Sequence, residues 1–300
     1  ELREGTVDKQ KTRLIDRDDM VANTMSTFVS LTVHCSRCHD HKFDPIPQTD
    51  YYRLQAVFAG VERGDRPFGR VTGEGAPLVY AAVPREPRPI HVLNRGEVEQ
   101  PGEQVSPGAL SCVVGLDPTF DSSTEEGSRR AALADWIAHP ENPLTWRSIV
   151  NRAWQDYFGR GLVDTPNDFG RNGSRPTHPE LLDWLAVEFR DSGGSLKALD
   201  RLILTSGTYR RSSQHNETNA RIDSGNLLRW RQERRRLEAE ELRDATLFIS
   251  GVLDESMGGP GFDLFRSKDD HSPIYDHDDA DWFDPPTGRR RSIYRFVVRS

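Results

Sequence analysis

The residues best suited to chemistry lie between positions 34 and 45, where the sequence reads HCSRCHDHKFDP. Three histidines and two cysteines fall within eight positions, and two aspartates, Asp40 and Asp44, lie beside them. Thiolate and imidazole are ligands for soft and borderline metals, and closely spaced thiols also support redox chemistry. The stretch therefore predicts a cofactor, metal or redox site.

Cys35, Cys38 and His39 have the Cys-x-x-Cys-His spacing that is typical of covalent haem attachment. Two thiols at this spacing can reach the two vinyl groups on one edge of a porphyrin, and the next histidine then falls under the iron as the proximal ligand. The spacing predicts haem c, bound through both cysteines. Three alternatives stay open, namely a redox-active disulfide, a zinc or iron site completed by His34, His39 or His41, and inert cysteines.

The residues after the motif extend the set of possible ligands. We take His39, His41 and Asp44 as candidate metal ligands, and we expect Asp40 or Asp44 to orient a histidine ring through its second nitrogen. The alternative is that Asp44 begins a simple turn and that His41 is exposed.

The third cysteine, Cys112, is expected to be a small buried core residue. Because the chain has 3 cysteines, it cannot build a four-cysteine zinc site or a disulfide framework. The sequence also lacks a Gly-x-Ser-x-Gly elbow, a phosphate-binding loop and a His-Glu-x-x-His helix. Nothing in it indicates a hydrolase.

Two predicted helices bracket the Cys/His motif. Residues 16–33 carry a rough apolar stripe of Met20, Val21, Met25, Phe28 and Val29, with Asp16 or Asp18 as the cap. A second helix is predicted to begin near Thr49 or Asp50, with one apolar face formed by Tyr51, Leu54, Phe58 and Val61. The motif would lie in a tight turn between them, and we expect Tyr51, Leu54 and Phe58 to line a cofactor pocket.

The remaining sequence predicts an α+β protein that is mainly α with a small antiparallel β unit. Residues 1–62 form the motif-bearing segment, residues 63–128 a β-rich unit with frequent Gly and Pro, and residues 129–300 a mainly helical domain. Thr177 and Glu180 predict a capping box, and Ser195 predicts the next helix cap. The acidic run 276–281 could bind a hard cation, but a solvated loop explains it better.

One helix, Thr145 to Phe158, carries polar residues that could be mistaken for a catalytic set. We predict that Asn151, Arg152, Trp154 and Gln155 have structural roles and satisfy buried backbone where the helix ends. The alternative is a binding site for anions at that end, equipped by Arg160.

Composition limits the possible partners. The 300 residues include 29% charged and 35% hydrophobic side chains and carry a net charge of −7, which argues against a general nucleic-acid binder. No apolar run approaches the length of a membrane span. The chain begins at Glu1 and ends in a strand-like pattern over residues 292–298, so we expect a fragment or processed form, truncated at both ends.

Longer stretches carry a family resemblance. They are LTVHCSRCHDHKFDPI followed by DYY at 50–52, ADW at 134–136, ENPLT at 141–145, NRAW at 151–154, FGRGLV at 158–163, THPELLDWL at 177–185 and RRLEAE at 235–240. The chain resembles the C-terminal end of the planctomycete cytochrome-like domain followed by the planctomycete-specific domain of unknown function. The resemblance implies an exported, periplasmic or otherwise extracytoplasmic protein with a c-type cytochrome label, and it supplies no demonstrated reaction.

Two functions from different classes follow. The first is a haem-bearing electron-transfer or redox module that works with a redox partner protein or within a larger exported assembly. The second is a non-haem protein whose Cys/His cluster binds zinc or iron or forms a disulfide, with a helical domain that binds a carbohydrate or a partner. A visible absorption spectrum separates them.

Overall fold

The computed structural model of the protein describes residues 9–68, 78–122, 125–264, 266–268, 272–274 and 286–296. The chain divides into two compact units, Glu1–Glu233 and Arg234–Ser300. The acidic run 276–281 lies outside the described residues. Among the residues that are described, no helix is both long and apolar enough to cross a membrane.

The predicted fold class is confirmed: the protein is α+β, with helices and small antiparallel hairpins. The helices of the first unit are α1 Lys9–Thr24, α2 Gln48–Val57, α3 Glu126–Ile137, α4 Pro143–Phe158, α5 Pro179–Asp191, α6 Leu196–Thr205 and α7 Glu217–Ile222. Its strands are β1 Val61–Pro67, β2 Leu78–Pro84, β3 Ile90–Leu93 and β4 Pro101–Val105. The second unit contains α8 Ala239–Ile249, β5 Arg266–Lys268 and β6 Ser272–Ile274.

The predicted small antiparallel β structure is present, and its strands lie between Val61 and Val105. Strands β1 and β2 pair antiparallel in the register Val61↔Pro84 to Pro67↔Leu78. Strands β3 and β4 form a second antiparallel hairpin, with a register shift between His91 and Leu93. This second hairpin contacts α2 and therefore lies close to the Cys/His motif.

The first helix differs from the prediction over residues 16–33. It begins at Lys9 and continues past Thr24 as one π-helical turn, which stops at Ser30 in a left-handed conformation with φ 51°. Buried Ser30 donates its hydroxyl to the carbonyl of Pro166 at 2.7 Å, and Arg152 bonds the carbonyls of Ser26 and Thr27. Arg152 thereby satisfies carbonyls that the helix end leaves open, so the helix can stop before residue 31.

The described residues of the first unit form two hydrophobic cores. One includes Val21 of α1, Met25 of the π turn, Tyr51 and Leu54 of α2, and Phe58, which directly follows α2. Tyr51 and Leu54 are 0% exposed and Phe58 is 8% exposed, so they pack inside the protein. The prediction that Tyr51, Leu54 and Phe58 line a cofactor pocket is therefore wrong for this structure.

The second core is formed by α4, α5 and α6 and the loop after α4, with Val150, Trp154, Leu182, Leu185 and Ile203 among its members. Ser195 caps α6 as predicted, since its hydroxyl accepts from the backbone N–H of Ala198. The capping box predicted at Thr177 is wrong. His178 is the N-cap of α5, and the Thr177 hydroxyl donates instead to the carbonyl of Leu162 at 3.3 Å.

In the second unit, α8 begins with a capping box between Glu238 and Glu241. Asp244 accepts from the backbone N–H and the hydroxyl of Ser292, which ties α8 to the chain near residue 292. Ser292–Tyr294 forms a 3-10 turn, so the strand-like pattern of the sequence is not a strand there.

Candidate functional site

The Cys/His motif begins with a single 3-10 turn, His34–Arg37, and Cys38 follows it directly. Ser36 is fully buried, its N–H bonds the carbonyl of Val33 at 3.0 Å, and its hydroxyl donates to the carbonyl of Ile46 at 3.3 Å. The turn is therefore attached to the protein through Ser36, and it presents Cys35 and Cys38 to solvent.

Two residues of helix α2 form hydrogen bonds to the end of this turn. Gln48 donates its side-chain amide to the carbonyls of Arg37 and Leu93 at 3.0 and 2.9 Å, and the Tyr52 hydroxyl donates to the same Arg37 carbonyl at 2.8 Å. The Asp40 carboxylate accepts from the backbone N–H of Gln48 at 2.7 Å, at the start of α2. Burial raises the pKa of Tyr52 to about 12, so this phenol keeps its proton into the alkaline range.

Asp18 links α1 to the same turn, although the sequence suggested it as a helix cap. It is 3% exposed and accepts from the hydroxyl of Tyr51, and its second oxygen lies 3.3 Å from the guanidinium of Arg37 and 3.4 Å from His34. Burial, followed by the bond to Asp18, raises the pKa of Tyr51. Asp18 lies on the face of α1 that carries Leu14 and Val21, which is the sequence signal that could have revealed it.

Cys35 and Cys38 are both free and exposed, and they are not joined in a disulfide. Gly96, in the turn between β3 and β4, has φ +75°, and a Cβ placed there would lie 3.0 Å from the sulfur of Cys38. The β3–β4 turn therefore packs closely against the second thiol and requires glycine at this position.

His39 is exposed, and its Nδ1 lies 2.6 Å from the backbone carbonyl oxygen of Asp40. A carbonyl can only accept, so Nδ1 must carry the proton in this contact. In the neutral ring, Nε2 then keeps its lone pair and is available to a metal. A histidine that binds a metal usually has its other nitrogen held in this way.

His41 and Asp44 are buried, so the alternative that His41 is exposed is wrong. His41 Nδ1 accepts from the backbone N–H of Asp44 at 3.0 Å and lies 3.3 Å from the carboxylate oxygen Oδ2 of Asp44. Oδ1 of Asp44 accepts from the N–H of Arg171 at 2.7 Å, whereas Oδ2 has no hydrogen-bond partner among the described residues. The hydrogen bond to the His41 ring comes from the backbone of Asp44 and not from its carboxylate, so the orientation of a histidine ring by the Asp44 carboxylate stays a prediction.

Buried His41 and Asp44 and exposed His39 do not form one ligand cluster. In the part of the chain that the structure describes, no three His, Cys, Asp or Glu side chains are grouped as a metal site requires. The assignment of His39, His41 and Asp44 as metal ligands stays a prediction.

Cys112 is half-buried and packs against the first core, as expected for a core cysteine. Burial, with a smaller contribution from Asp50, raises the pKa of its thiol to about 11. The neighbouring Ser111 donates its N–H and its hydroxyl to the buried Asp50 carboxylate at 2.7 and 2.6 Å. Reactive cysteines lie in accessible, electropositive surroundings. The position of Cys112 therefore indicates a packing role.

The polar residues of α4 make the structural contacts that the sequence predicted for them. Asn151 is 0% exposed and bonds the backbone of Val163, and Arg152 bonds backbone carbonyls at the end of the π turn. Trp154 stacks on Phe158 with ring centroids 4.2 Å apart. For Gln155 the contact is through its backbone carbonyl, which accepts from Gly159 at 2.7 Å.

The alternative for the end of α4 was an anion site equipped by Arg160, but in the structure Arg160 already has an intramolecular partner. Arg160 bonds both carboxylate oxygens of Asp164, at 2.7 and 2.6 Å. A guanidinium in a bidentate pair would have to leave that partner before it could take an external anion.

Comparisons with known proteins place the chain in a family. Residues 1–63 match PSCyt2, described as a protein of unknown function (DUF1549), and residues 129–300 match PSD1, described as a protein of unknown function (DUF1553). The chain belongs to the planctomycete cytochrome-like family. The resemblance carried by the motif and by the later stretches is thereby confirmed. No curated protein and no solved structure matches the chain significantly.

Within this family the candidate haem-attachment residues can be compared with what a covalent haem requires. Attachment needs two accessible free thiols at the right spacing and an imidazole nitrogen for the iron. Cys35 and Cys38 are free and exposed, and His39 has its Nδ1 engaged and its Nε2 available. The donor set fits the group.

Proposed function

We propose that this protein of the planctomycete cytochrome-like family carries one covalently bound haem c and acts as an electron-transfer or redox module of an exported protein. Cys35 and Cys38 would be the thioether anchors and His39 the proximal ligand. The observation that carries the proposal is the contact between His39 Nδ1 and the Asp40 carbonyl at 2.6 Å, beside two exposed thiols.

The hydrogen bonds around the motif support a rigid attachment site. The carbonyl of Arg37, directly before Cys38, accepts from both Gln48 and Tyr52. The Asp40 carboxylate, directly after His39, accepts from the first residue of α2. Because both flanks of Cys38 and His39 are fixed, these donors need little rearrangement when the group is attached.

The chain's own residues would then orient and tune the site. Haem supplies one-electron chemistry when it is bound. Asp40 holds the proton of His39 on Nδ1 through its carbonyl, which fixes the tautomer that leaves Nε2 free for the iron. Phe43 is 42% exposed and lies four positions after His39, so it offers apolar surface near the motif.

The proposed haem attachment also suggests the cellular compartment of the protein. Haem is attached to Cys-x-x-Cys-His motifs outside the bacterial cytoplasm, so we place the working protein in the periplasm or in another extracytoplasmic compartment. A redox partner protein, or a larger exported assembly, would exchange electrons with it.

Expression in a host with a haem-attachment pathway tests the proposal. The purified protein should show the sharp visible bands of a reduced c-type cytochrome, and its mass should increase by one haem that survives denaturation. The double substitution Cys35→Ser and Cys38→Ser should abolish both signals. Cys112→Ser is the matched control and should keep them, because Cys112 lies half-buried against the core.

His39→Ala separates attachment from ligation. It should keep the added mass but change the reduced spectrum, because the thioether bonds remain while the proximal ligand is lost. A wild-type protein without visible bands and without added mass would contradict the proposal. Bound zinc or iron, or a Cys35–Cys38 disulfide, would then support the non-haem alternative.

A further inference from the structure

A cavity of about 430 Å³ lies between α1, α2 and the β3–β4 hairpin of the first unit. Three arginines line it, Arg13, Arg17 and Arg88, together with His91 and the polar side chains of Tyr52 and Gln55. None of the described residues in the lining is acidic. In a chain with a net charge of −7, this is a locally cationic cavity.

The three arginines differ in how their charge is balanced. Arg13 lies 3.7 Å from Glu62, and Arg88 bonds the same Glu62 oxygen. Arg17 forms no ion pair within the described part of the chain. The neighbouring Asp16 pairs instead with Arg63, at 3.9 Å.

Arg17 is nevertheless held in a fixed position. Its Nε donates to Gln55 Oε1 at 2.9 Å, and Gln55 in turn donates to the hydroxyl of Tyr51 at 2.9 Å. Tyr51 donates to Asp18, which completes a chain of directed bonds. The two Nη groups of Arg17 have no partner in the described structure, so they remain available to a ligand.

The environment of Arg17 disfavours its charge. Burial, and then the nearby charge of Arg88, lowers the pKa of Arg17 to about 10. A partly buried cation without a counter-ion costs free energy, and a bound anion would offset that cost. Guanidinium groups also match the planar geometry of carboxylate and the oxygens of phosphate and sulfate.

The cavity also has an apolar side. Leu14, Ile90, Leu93 and Val98 contribute to the lining, so the cavity combines a cationic side with a hydrophobic one. Its volume falls within the range of about 300–1,000 Å³ that is usual for small-molecule sites. A ligand with a charged head and a small apolar body satisfies both sides.

We propose that this cavity binds a small organic anion, with Arg17 holding its carboxylate, phosphate or sulfate head and the aliphatic side chains contacting its body. The proposal does not rest on haem attachment, because the lining includes none of Cys35, Cys38 and His39.

Calorimetric titration of the intact chain with benzoate, inorganic phosphate and inorganic sulfate, at constant ionic strength in chloride, tests this proposal. We expect saturable binding of benzoate and weakening by about tenfold or more in Arg17→Gln, since charge-assisted hydrogen bonds are lost. Arg190→Gln is the control. Arg190 bonds Asp191 on an exposed part of α5, and its loss should leave the affinity unchanged.

Thermal unfolding distinguishes a ligand-binding role of Arg17 from a structural one. In chloride alone, Arg17→Gln should unfold within a few degrees of wild type, and it should lose the rise in Tm that benzoate gives to the wild type. Arg17→Lys keeps the charge without the planar fork and should bind benzoate more weakly than wild type even if Arg17→Gln fails to fold.

No saturable binding of any probe, or equal binding by wild type and the folded Arg17 variant, would overturn the proposal. Binding of phosphate or sulfate without benzoate would overturn the assignment to an organic anion.

Discussion

The side-chain amide of Asn151 bonds both backbone groups of Val163. Its Nδ2 donates to the Val163 carbonyl at 2.9 Å, and its Oδ1 accepts from the Val163 N–H at 2.7 Å. Gly161 lies against the same amide, because a Cβ there would come within 2.8 Å of it. One buried side chain thereby fixes the segment after α4 to the helix itself.

Replacing Asn151 with Leu should therefore destabilise the protein. The substitution leaves the N–H and the carbonyl of Val163 buried without partners, and each such group costs about 1–3 kcal/mol. We expect a loss of about 2–4 kcal/mol in the free energy of unfolding, measured by urea denaturation. The same substitution at Asn172, which is exposed, should change it by less than about 0.5 kcal/mol. Equal effects at the two positions would contradict this account.

Gly96→Ala should affect both the stability and the candidate haem site. Gly96 has φ +75°, and the added Cβ would lie 3.0 Å from the sulfur of Cys38. We expect a loss of about 1–2 kcal/mol in unfolding free energy and a lower yield of haem-bearing protein in the attachment host. Gly127→Ala is the control, since no atom lies within 4 Å of a Cβ there and the residue is in α3. It should be neutral or stabilising by up to about 1 kcal/mol. A Gly96→Ala protein as stable as Gly127→Ala would refute the close packing.

The elements that could be predicted from sequence are those set by local chemistry. The helix predicted from Thr145 to Phe158 is α4, which begins two residues earlier, where Asn142 accepts from the N–H of Leu144 and Pro143 occupies the first turn. The alternation of short apolar runs with Gly and Pro likewise located the β unit. The Cys-x-x-Cys-His spacing indicated the candidate site, because that pattern lies within five consecutive residues.

The features that sequence reasoning missed depend on contacts between distant residues. The sequence predicts Asp18 as a possible cap, but its partner Tyr51 lies 33 positions away and holds it in the core. The cationic cavity joins Arg17 of α1 to Arg88 before β3, and no periodicity relates these positions. The Thr177 capping box was wrong because the competing carbonyl of Leu162 belongs to the loop that packs against this helix start.

The three cysteines should differ in their reaction with a thiol reagent. Cys35 and Cys38 are exposed, whereas Cys112 is half-buried and the pKa of its thiol is raised to about 11. In protein made without haem, iodoacetamide at pH 8 should modify Cys35 and Cys38 at least about tenfold faster than Cys112, because the thiolate is the reacting form. Time-resolved peptide mass spectrometry measures the three rates. Modification of Cys112 before the other two would show that the core opens around it.

Stability should fall at alkaline pH partly through Cys112. Burial raises the pKa of this thiol from 9.0 to about 11 in the folded protein, so the folded state retains a proton that the unfolded state loses between these values. The stabilisation from this group is fully present below about pH 9 and disappears as the pH rises to about 11. Discounted for partial exposure, the shift corresponds to about 1–2 kcal/mol.

Cys112→Ala tests this pH dependence. Urea denaturation at several pH values should show that the variant is less stable than wild type at pH 7, because a small core contact is lost. The difference between the two proteins should shrink by about 1–2 kcal/mol between pH 9 and pH 11, since only the wild type loses the thiol's contribution there. Tyr52→Phe should give a similar convergence at higher pH, between about 10 and about 12, because burial raises the pKa of Tyr52 to about 12. Parallel curves for wild type and Cys112→Ala over pH 9–11 would mean that Cys112 is as accessible to water in the folded protein as in the unfolded chain.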